Sequence, residues 1–126
     1  MRIVVVVAAL ALLAGCGEDD AEQPAAQPAL ADLTVTVDDG SKSKTAEVRC
    51  AAAEDSDVCR AVADIKAATF EPTPGDVACT QQYGGPERAT VKGTLRGEEI
   101  DASFSRHNGC EISRWDMVGD LLAAAG

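Results

Sequence analysis

Apolar and polar residues alternate along four short stretches of the chain, the period expected of half-buried β-strands. The first two stretches surround turn residues at 38–41, and the last two surround a turn at 96–98. Each pair of stretches therefore predicts an antiparallel hairpin. The apolar members are Leu33, Val35 and Val37; Ala46, Val48 and Cys50; Ala89, Val91, Gly93 and Leu95; and Ile100, Ala102 and Phe104.

Two other segments have helical rather than alternating spacing. After the acidic run 54–57, apolar residues follow at helical intervals of four and three: Val58, Val62 and Ile65. An Asp or Ser of the run is a suitable N-cap for this helix. A calcium-binding loop is the alternative for this run, but the run lacks the glycine turn and the distal glutamate of such a loop, so we prefer the helix cap. Pro72 and Pro74 cannot continue a helix, so we expect this helix to end before Phe70. Residues 116–125 predict a second, short amphipathic helix, which Trp115 covers.

The N-terminus has a different pattern. Arg2 precedes an apolar run that is too short to span a bilayer, which predicts a signal peptide over residues 1–15. The run Leu13-Ala14-Gly15-Cys16 matches the lipobox of bacterial lipoproteins, so we expect Cys16 to be the lipidated N-terminus of an extracytoplasmic, membrane-anchored protein. The alternative is an ordinary secretory signal with a coincidental cysteine. Residues 16–31 predict a flexible tether, and residues 32–126 a single domain.

The net charge bears on the expected partners of the protein, and the cysteine count bears on its disulfides. The formal net charge is −10, and it becomes −11 when Arg2 leaves with the signal peptide. Because no cluster of Lys and Arg opposes this charge, nucleic acid is not an expected partner. The chain has five cysteines, and the four besides Cys16 predict two disulfides with three open connectivities. The predicted class is α+β, with an antiparallel sheet of about four to five strands, two short helices and two disulfides.

Sequence patterns of catalytic, metal and cofactor sites are missing. There is no C-x-x-C spacing, and the only histidine, His107, lies in an Arg-His-Asn-Gly turn typical of an exposed loop. The chain has no G-x-S-x-G context, P-loop or dinucleotide-binding fingerprint. We therefore expect no enzyme activity, no catalytic residues, no metal and no cofactor.

One segment, 79–86, is polar, lies between a cysteine and a proline, and contains two glycines. Residue chemistry alone favours a surface loop that a disulfide holds for stability. The alternative is a projecting, extended segment that lies along the strand edge or cleft of another protein.

The order of these features resembles the SSI family of bacterial subtilisin inhibitors over roughly Leu33 to Glu111. The resemblance is carried by the motifs Cys50…Cys59, an Ala/Val-rich helix, Cys79-x-x-x-Tyr83…Pro86, a strand pair with Gly93 and Gly97, and Phe104…Asn108-x-Cys110-Glu111. It implies disulfides Cys50–Cys59 and Cys79–Cys110. It also implies an α+β inhibitor domain that can pair with a second copy through its sheet.

The resemblance further implies a function and a set of site residues. The function is inhibition of an extracellular, subtilisin-like serine protease by a loop of Cys79, Thr80, Gln81, Gln82 and Tyr83. The scissile bond would join Gln81 to Gln82. The residue before this bond, here Gln81, is often Met, Lys or Arg in the family. Gln81 would fill the primary pocket of the protease, and Asn108 would support the loop from behind. The alternatives are a non-inhibitory envelope lipoprotein domain that binds another protein, and a purely structural surface lipoprotein.

Overall fold

A computed structural model describes residues 28–126 of the chain. The predicted signal peptide, Cys16 and all but the last residues of the predicted tether lie outside the described residues. Four strands form one antiparallel sheet: β1, Ala31–Asp38; β2, Ser43–Cys50; β3, Arg88–Leu95; and β4, Glu98–Ser105. Strand β1 begins one residue before the predicted domain boundary, and the side chain of its first residue, Ala31, is already buried.

The strand order is β2-β1-β3-β4, so β1 lies between its hairpin partner and a strand that follows 50 residues later in the chain. Leu33 is opposite Val48 in β2 and opposite Gly93 in β3. The β3–β4 hairpin turns at Arg96 and Gly97, whose φ angles of 50° and 80° are those of the two-residue turn that suits twisted strands. All four predicted strands and both predicted hairpins are confirmed.

One face of the sheet is apolar, and the helices cover it. Helix α1 spans Asp57–Asp64, α2 spans Gly109–Met117 and α3 spans Gly119–Leu122. Two 3-10 turns, Ala53–Asp55 and Ala67–Phe70, connect them to the strands. The largest fully buried side chains come from the strands, α1 and the α2–α3 region: Leu33, Val35, Val91, Val62, Val118 and Leu121. This arrangement is the predicted α+β class, with four strands and two disulfides.

Helix α1 is capped as predicted, because the Ser56 hydroxyl accepts a hydrogen bond from the Cys59 N–H at 3.1 Å. The C-terminal helix differs from its prediction. Instead of one helix over 116–125, α2 begins seven residues earlier and α3 is a separate short turn of helix. The cause is an N-cap at Asn108, which satisfies an N–H of the first turn. Met117, an apolar residue within the predicted helix, is 61% exposed.

Candidate functional site

The residues that the sequence analysis assigned to a binding loop lie together on the surface. Residues 78–85 have no regular secondary structure and connect the proline-containing segment to β3. Thr80, Gln81, Gln82 and Tyr83 are all exposed, whereas Cys79 is half-buried. Neither glutamine side chain makes a hydrogen bond within the described part of the chain. These four residues therefore present polar side chains and a tyrosine to the solvent.

A disulfide fixes the start of this loop. The structure contains the two bridges that the resemblance implies, Cys50–Cys59 and Cys79–Cys110. The second joins the loop to the first turn of α2, across Cα atoms that are 5.3 Å apart. The first bridge joins the end of β2 to α1, away from the loop. One disulfide therefore holds the candidate site and the other holds the core.

Two backbone hydrogen bonds fix the loop on either side of its exposed tip. The Gly109 N–H donates to the Thr80 carbonyl at 3.1 Å, and the Gly84 N–H donates to the Arg106 carbonyl at 2.7 Å. Only residues 81–83 lie between these two contacts. The tip is thus three residues long. It is held at one end by the first residue of α2 and at the other by Arg106, in the segment between β4 and α2.

Glycines allow the close approach that these hydrogen bonds need. A Cβ atom at Gly109 would overlap the Thr80 hydroxyl, and a Cβ at Gly84 would lie 2.9 Å from the Ile112 side chain. A larger residue at either position would push the loop away from α2. Gly84 and Gly109 are therefore sites of tight packing between the loop and α2.

Helix α2, which carries the contacts of Gly109 and Ile112 with the loop, contains a largely buried ion pair whose arginine also bonds to the sheet. Arg114 and Glu111 are one helical turn apart and 2.7 Å from each other, and their side chains are only 12% and 18% exposed. The Arg114 guanidinium also donates to the carbonyls of Thr69 and Ser103 and lies 4.7 Å from the ring centroid of Phe104. This pair was not predicted from the sequence, although an acid and a base at positions i and i+3 of a helix are a signal for it.

Asn108 and His107 lie beside the loop in different roles. The Asn108 side chain accepts from the Glu111 N–H at 3.0 Å and caps α2, while the hydrogen bond to the loop comes from the next residue, Gly109. His107 is exposed, and its ring stacks on that of Tyr83 with centroids 6.1 Å apart and planes 28° apart. Tyr83 remains 64% exposed. The stacking gives the distal end of the tip a side-chain support that the sequence analysis did not identify.

A partly buried ion pair and an acidic turn lie where the chain returns to the sheet. Arg106 and Glu87 are 3.6 Å apart, each about one-third exposed, next to the two glycines of the loop. In the β1–β2 turn, a Cβ atom at Gly40 would lie 3.6 Å from the Pro86 side chain, so the turn lies close to the return segment. Hydrogen bonds from the backbone N–H groups of Lys42 and Ser41 lower the pKa of Asp39 in this turn. The return segment is thus held by charge pairing and by a rigid turn.

Within residues 28–126, no group of three or more His, Cys, Asp or Glu side chains is arranged to hold a metal ion. The same residues contain no helix with the length and apolar character to cross a membrane. In comparisons with known proteins, no protein-family model, no curated protein and no solved structure matches this chain.

Proposed function

We propose that the protein inhibits a subtilisin-like serine protease by presenting residues 79–83, the reactive loop, as a substrate whose scissile bond joins Gln81 to Gln82. The observation that carries the proposal is the exposed three-residue tip held between two fixed points. These points are the hydrogen bond from Gly109 to the Thr80 carbonyl and the hydrogen bond from Gly84 to the Arg106 carbonyl. The disulfide adds a covalent restraint at the first point.

Rigidity is the property that an inhibitory loop requires. Fixing the backbone of one residue costs roughly 1–2 kcal/mol of conformational free energy. A loop that is already held at both ends avoids part of this cost when it enters a protease cleft. In the described part of the chain, the backbone N–H and C=O groups of residues 81–83 make no hydrogen bond to other backbone groups, so they are available to pair with the edges of the cleft.

The mechanism follows from the chemistry of the scissile peptide. The protease hydroxyl attacks the Gln81 carbonyl carbon, and the oxyanion hole stabilises the developing charge. The Gln81 side chain fills the primary pocket, Thr80 the neighbouring one, and Tyr83 packs on the leaving-group side. After cleavage the amine of Gln82 stays beside the acyl-enzyme, because the bridge and the hydrogen bond of Gly84 hold the two new chain ends. Religation then competes with hydrolysis.

The proposed place of action is the outer surface of a membrane. The two disulfides of the structure are compatible with an extracytoplasmic protein. A lipid on Cys16 and a tether over residues 16–31 would keep the inhibitor close to the cell that makes it. We expect the chain to incorporate radiolabelled fatty acid in a bacterial host and Cys16→Ser to lose the label. A wild-type chain that is exported without label would contradict the anchor.

Titration of subtilisin with the purified, oxidised chain tests the proposed function. We expect stoichiometric inhibition, and after long incubation an intact mass spectrum with slow, incomplete cleavage between Gln81 and Gln82 only. Rapid and complete cleavage at that bond would show that the loop is a substrate and would contradict the proposal. An intact chain that does not inhibit would favour the alternative, an envelope domain that binds another protein.

A matched pair of variants tests which residue enters the primary pocket. A lysine there pairs with the acid of a trypsin-like pocket, so Gln81→Lys is expected to inhibit trypsin at least tenfold more strongly than the wild type. The control, Gln82→Lys, carries the same charge one residue further and is expected to bring no such gain. Equal gains from both variants would indicate a nonspecific effect of charge and would remove the assigned scissile bond.

A homodimer through the open face of the sheet belongs to the same proposal. A row of hydroxyls crosses that face on all four strands, from Thr45 through Thr36 and Thr90 to Ser103. The first two hydroxyls are 3.0 Å apart. We expect light scattering to give twice the mass of one chain, whereas a monomer at every concentration would contradict the dimer.

A further inference from the structure

The residue that caps α2 is followed directly by a glycine, and this pair is chemically labile. In a flexible Asn-Gly sequence, the glycine nitrogen attacks the side-chain carbonyl carbon of the asparagine. Glycine favours this attack because it has no side chain to obstruct it. In this structure, packing requires glycine at this point, since a Cβ at Gly109 would overlap the Thr80 hydroxyl. A labile Asn108-Gly109 peptide therefore lies directly behind the reactive loop.

The reaction needs only water and balances as follows. The Gly109 nitrogen forms a bond to Cγ of Asn108 and loses its proton to solvent. The Cγ–Nδ2 bond breaks, and the side-chain nitrogen takes up a proton from solvent and leaves as ammonia. The product is a cyclic imide. One water molecule then opens the ring at either carbonyl, which gives aspartate or isoaspartate at position 108.

The structure blocks the first step in three ways. The Gly109 N–H is engaged with the Thr80 carbonyl at 3.1 Å. The Asn108 side-chain oxygen is held by the Glu111 N–H at 3.0 Å, which keeps the side chain in its capping orientation. The Asn108 carbonyl accepts from the Ile112 N–H at 2.9 Å, which fixes the peptide in the first turn of α2. Two of these restraints belong to the helix, and the one on the attacking nitrogen belongs to the loop.

We infer that Asn108 is a latent deamidation site that the clamped loop protects. Reduction of the Cys79–Cys110 bridge by an external dithiol, which is itself oxidised to a disulfide, would release the site. The bridge holds Thr80, the residue next to it, against Gly109. Deamidation to aspartate would retain an N-cap, because Asp and Asn cap helices about equally well. Isoaspartate inserts an extra backbone carbon and would displace Gly109 from Thr80. A chain that has lost the bridge would therefore lose its loop support irreversibly. This inference holds whatever the loop binds.

The test follows deamidation at Asn108 in the purified full chain, kept in mildly alkaline buffer and analysed by peptide mass mapping with isoaspartate detection. A synthetic peptide of residues 105–112 gives the unprotected rate. We expect the oxidised chain to react at least about tenfold more slowly than the peptide, because attack requires local opening. The variant C79S/C110S is expected to react at least about fivefold faster than the wild type, since the hydrogen bond on Gly109 is then weakened.

Two further variants make the result decisive. C50S/C59S removes the other bridge by the same substitution, and its rate at Asn108 is expected to stay near that of the wild type. Thr80→Gly keeps both bridges but loosens the loop next to Gly109, so it is expected to accelerate the reaction even if C79S/C110S proves unfolded by circular dichroism. The inference is overturned if the oxidised chain reacts as fast as the peptide. It is also overturned if Thr80→Gly has no effect, or if C50S/C59S accelerates the reaction as much as C79S/C110S.

Discussion

Substitution of Gly109 by alanine tests the contact between the loop and α2 most directly, because the chain offers a matched control. Gly109 and Gly119 are the first residues of α2 and α3, and neither has a positive φ angle. A Cβ at Gly119 would meet nothing within 4 Å, whereas one at Gly109 would overlap the Thr80 hydroxyl and lie 3.3 Å from its Cβ. The same substitution is therefore expected to have opposite effects at the two positions.

The magnitudes follow from two competing contributions. Alanine is better than glycine in a helix by up to about 1 kcal/mol. At Gly119 this gain is unopposed, so Gly119→Ala is expected to stabilise the protein by up to about 1 kcal/mol. At Gly109, overpacking costs about 1–3 kcal/mol and displacement of the hydrogen bond to Thr80 costs about 1 kcal/mol more. The expected net destabilisation by Gly109→Ala is about 1–3 kcal/mol.

Urea denaturation of the oxidised protein measures both free energies of unfolding, with fluorescence of the half-buried Trp115 as the signal. Adding Thr80→Gly to Gly109→Ala removes the clashing side chain, so the double variant is expected to be less destabilised than the sum of the single variants. If Gly109→Ala stabilised the protein as Gly119→Ala does, the loop would not lie on α2 in solution. The assigned support of the loop would then be wrong.

Three other perturbations have defined outcomes. Replacing Cys79 and Cys110 by serine removes a bridge with a sequence separation of 31. The chain-entropy relation predicts that the free energy of unfolding, measured by urea denaturation, falls by about 3.7 kcal/mol. A decrease below about 1 kcal/mol would contradict this prediction. Arg114→Met leaves Glu111 buried without its partner and is expected to cost roughly 3 kcal/mol, part of which a second substitution, Glu111→Gln, should restore in the same measurement. Hydrogen bonds lower the pKa of Asp39 in the folded protein, so its contribution to stability is fully present above its unfolded pKa and is lost as the pH falls through the lower, folded value. Thermal melts of the wild type and Asp39→Asn are therefore expected to differ at neutral pH and to converge in strong acid; a difference independent of pH would contradict this.

The sequence predicted local structure well wherever neighbouring residues decide it. Period-two alternation identified all four strands, because a strand with one buried face must place every second side chain in the core. Helix α1 was identified because its cap and its apolar residues lie within one short stretch. The start of α2 was missed because Asn108 and Gly109 have the composition of a turn, so Asn108 was assigned to a loop although its side chain is the N-cap of the helix.

The sequence by itself determined the strands, the helix between the hairpins, the acidic surface and the position of a polar segment after Cys79. Tertiary structure decided the neighbour relations: that β1 pairs with β3, that Cys79 meets Cys110, and that Thr80 rests on Gly109. The physical reason is range. Periodicity and capping act between residues a few positions apart, whereas pairing of strands and closure of the 79–110 bridge depend on which surfaces bury the most apolar area together once the chain has collapsed.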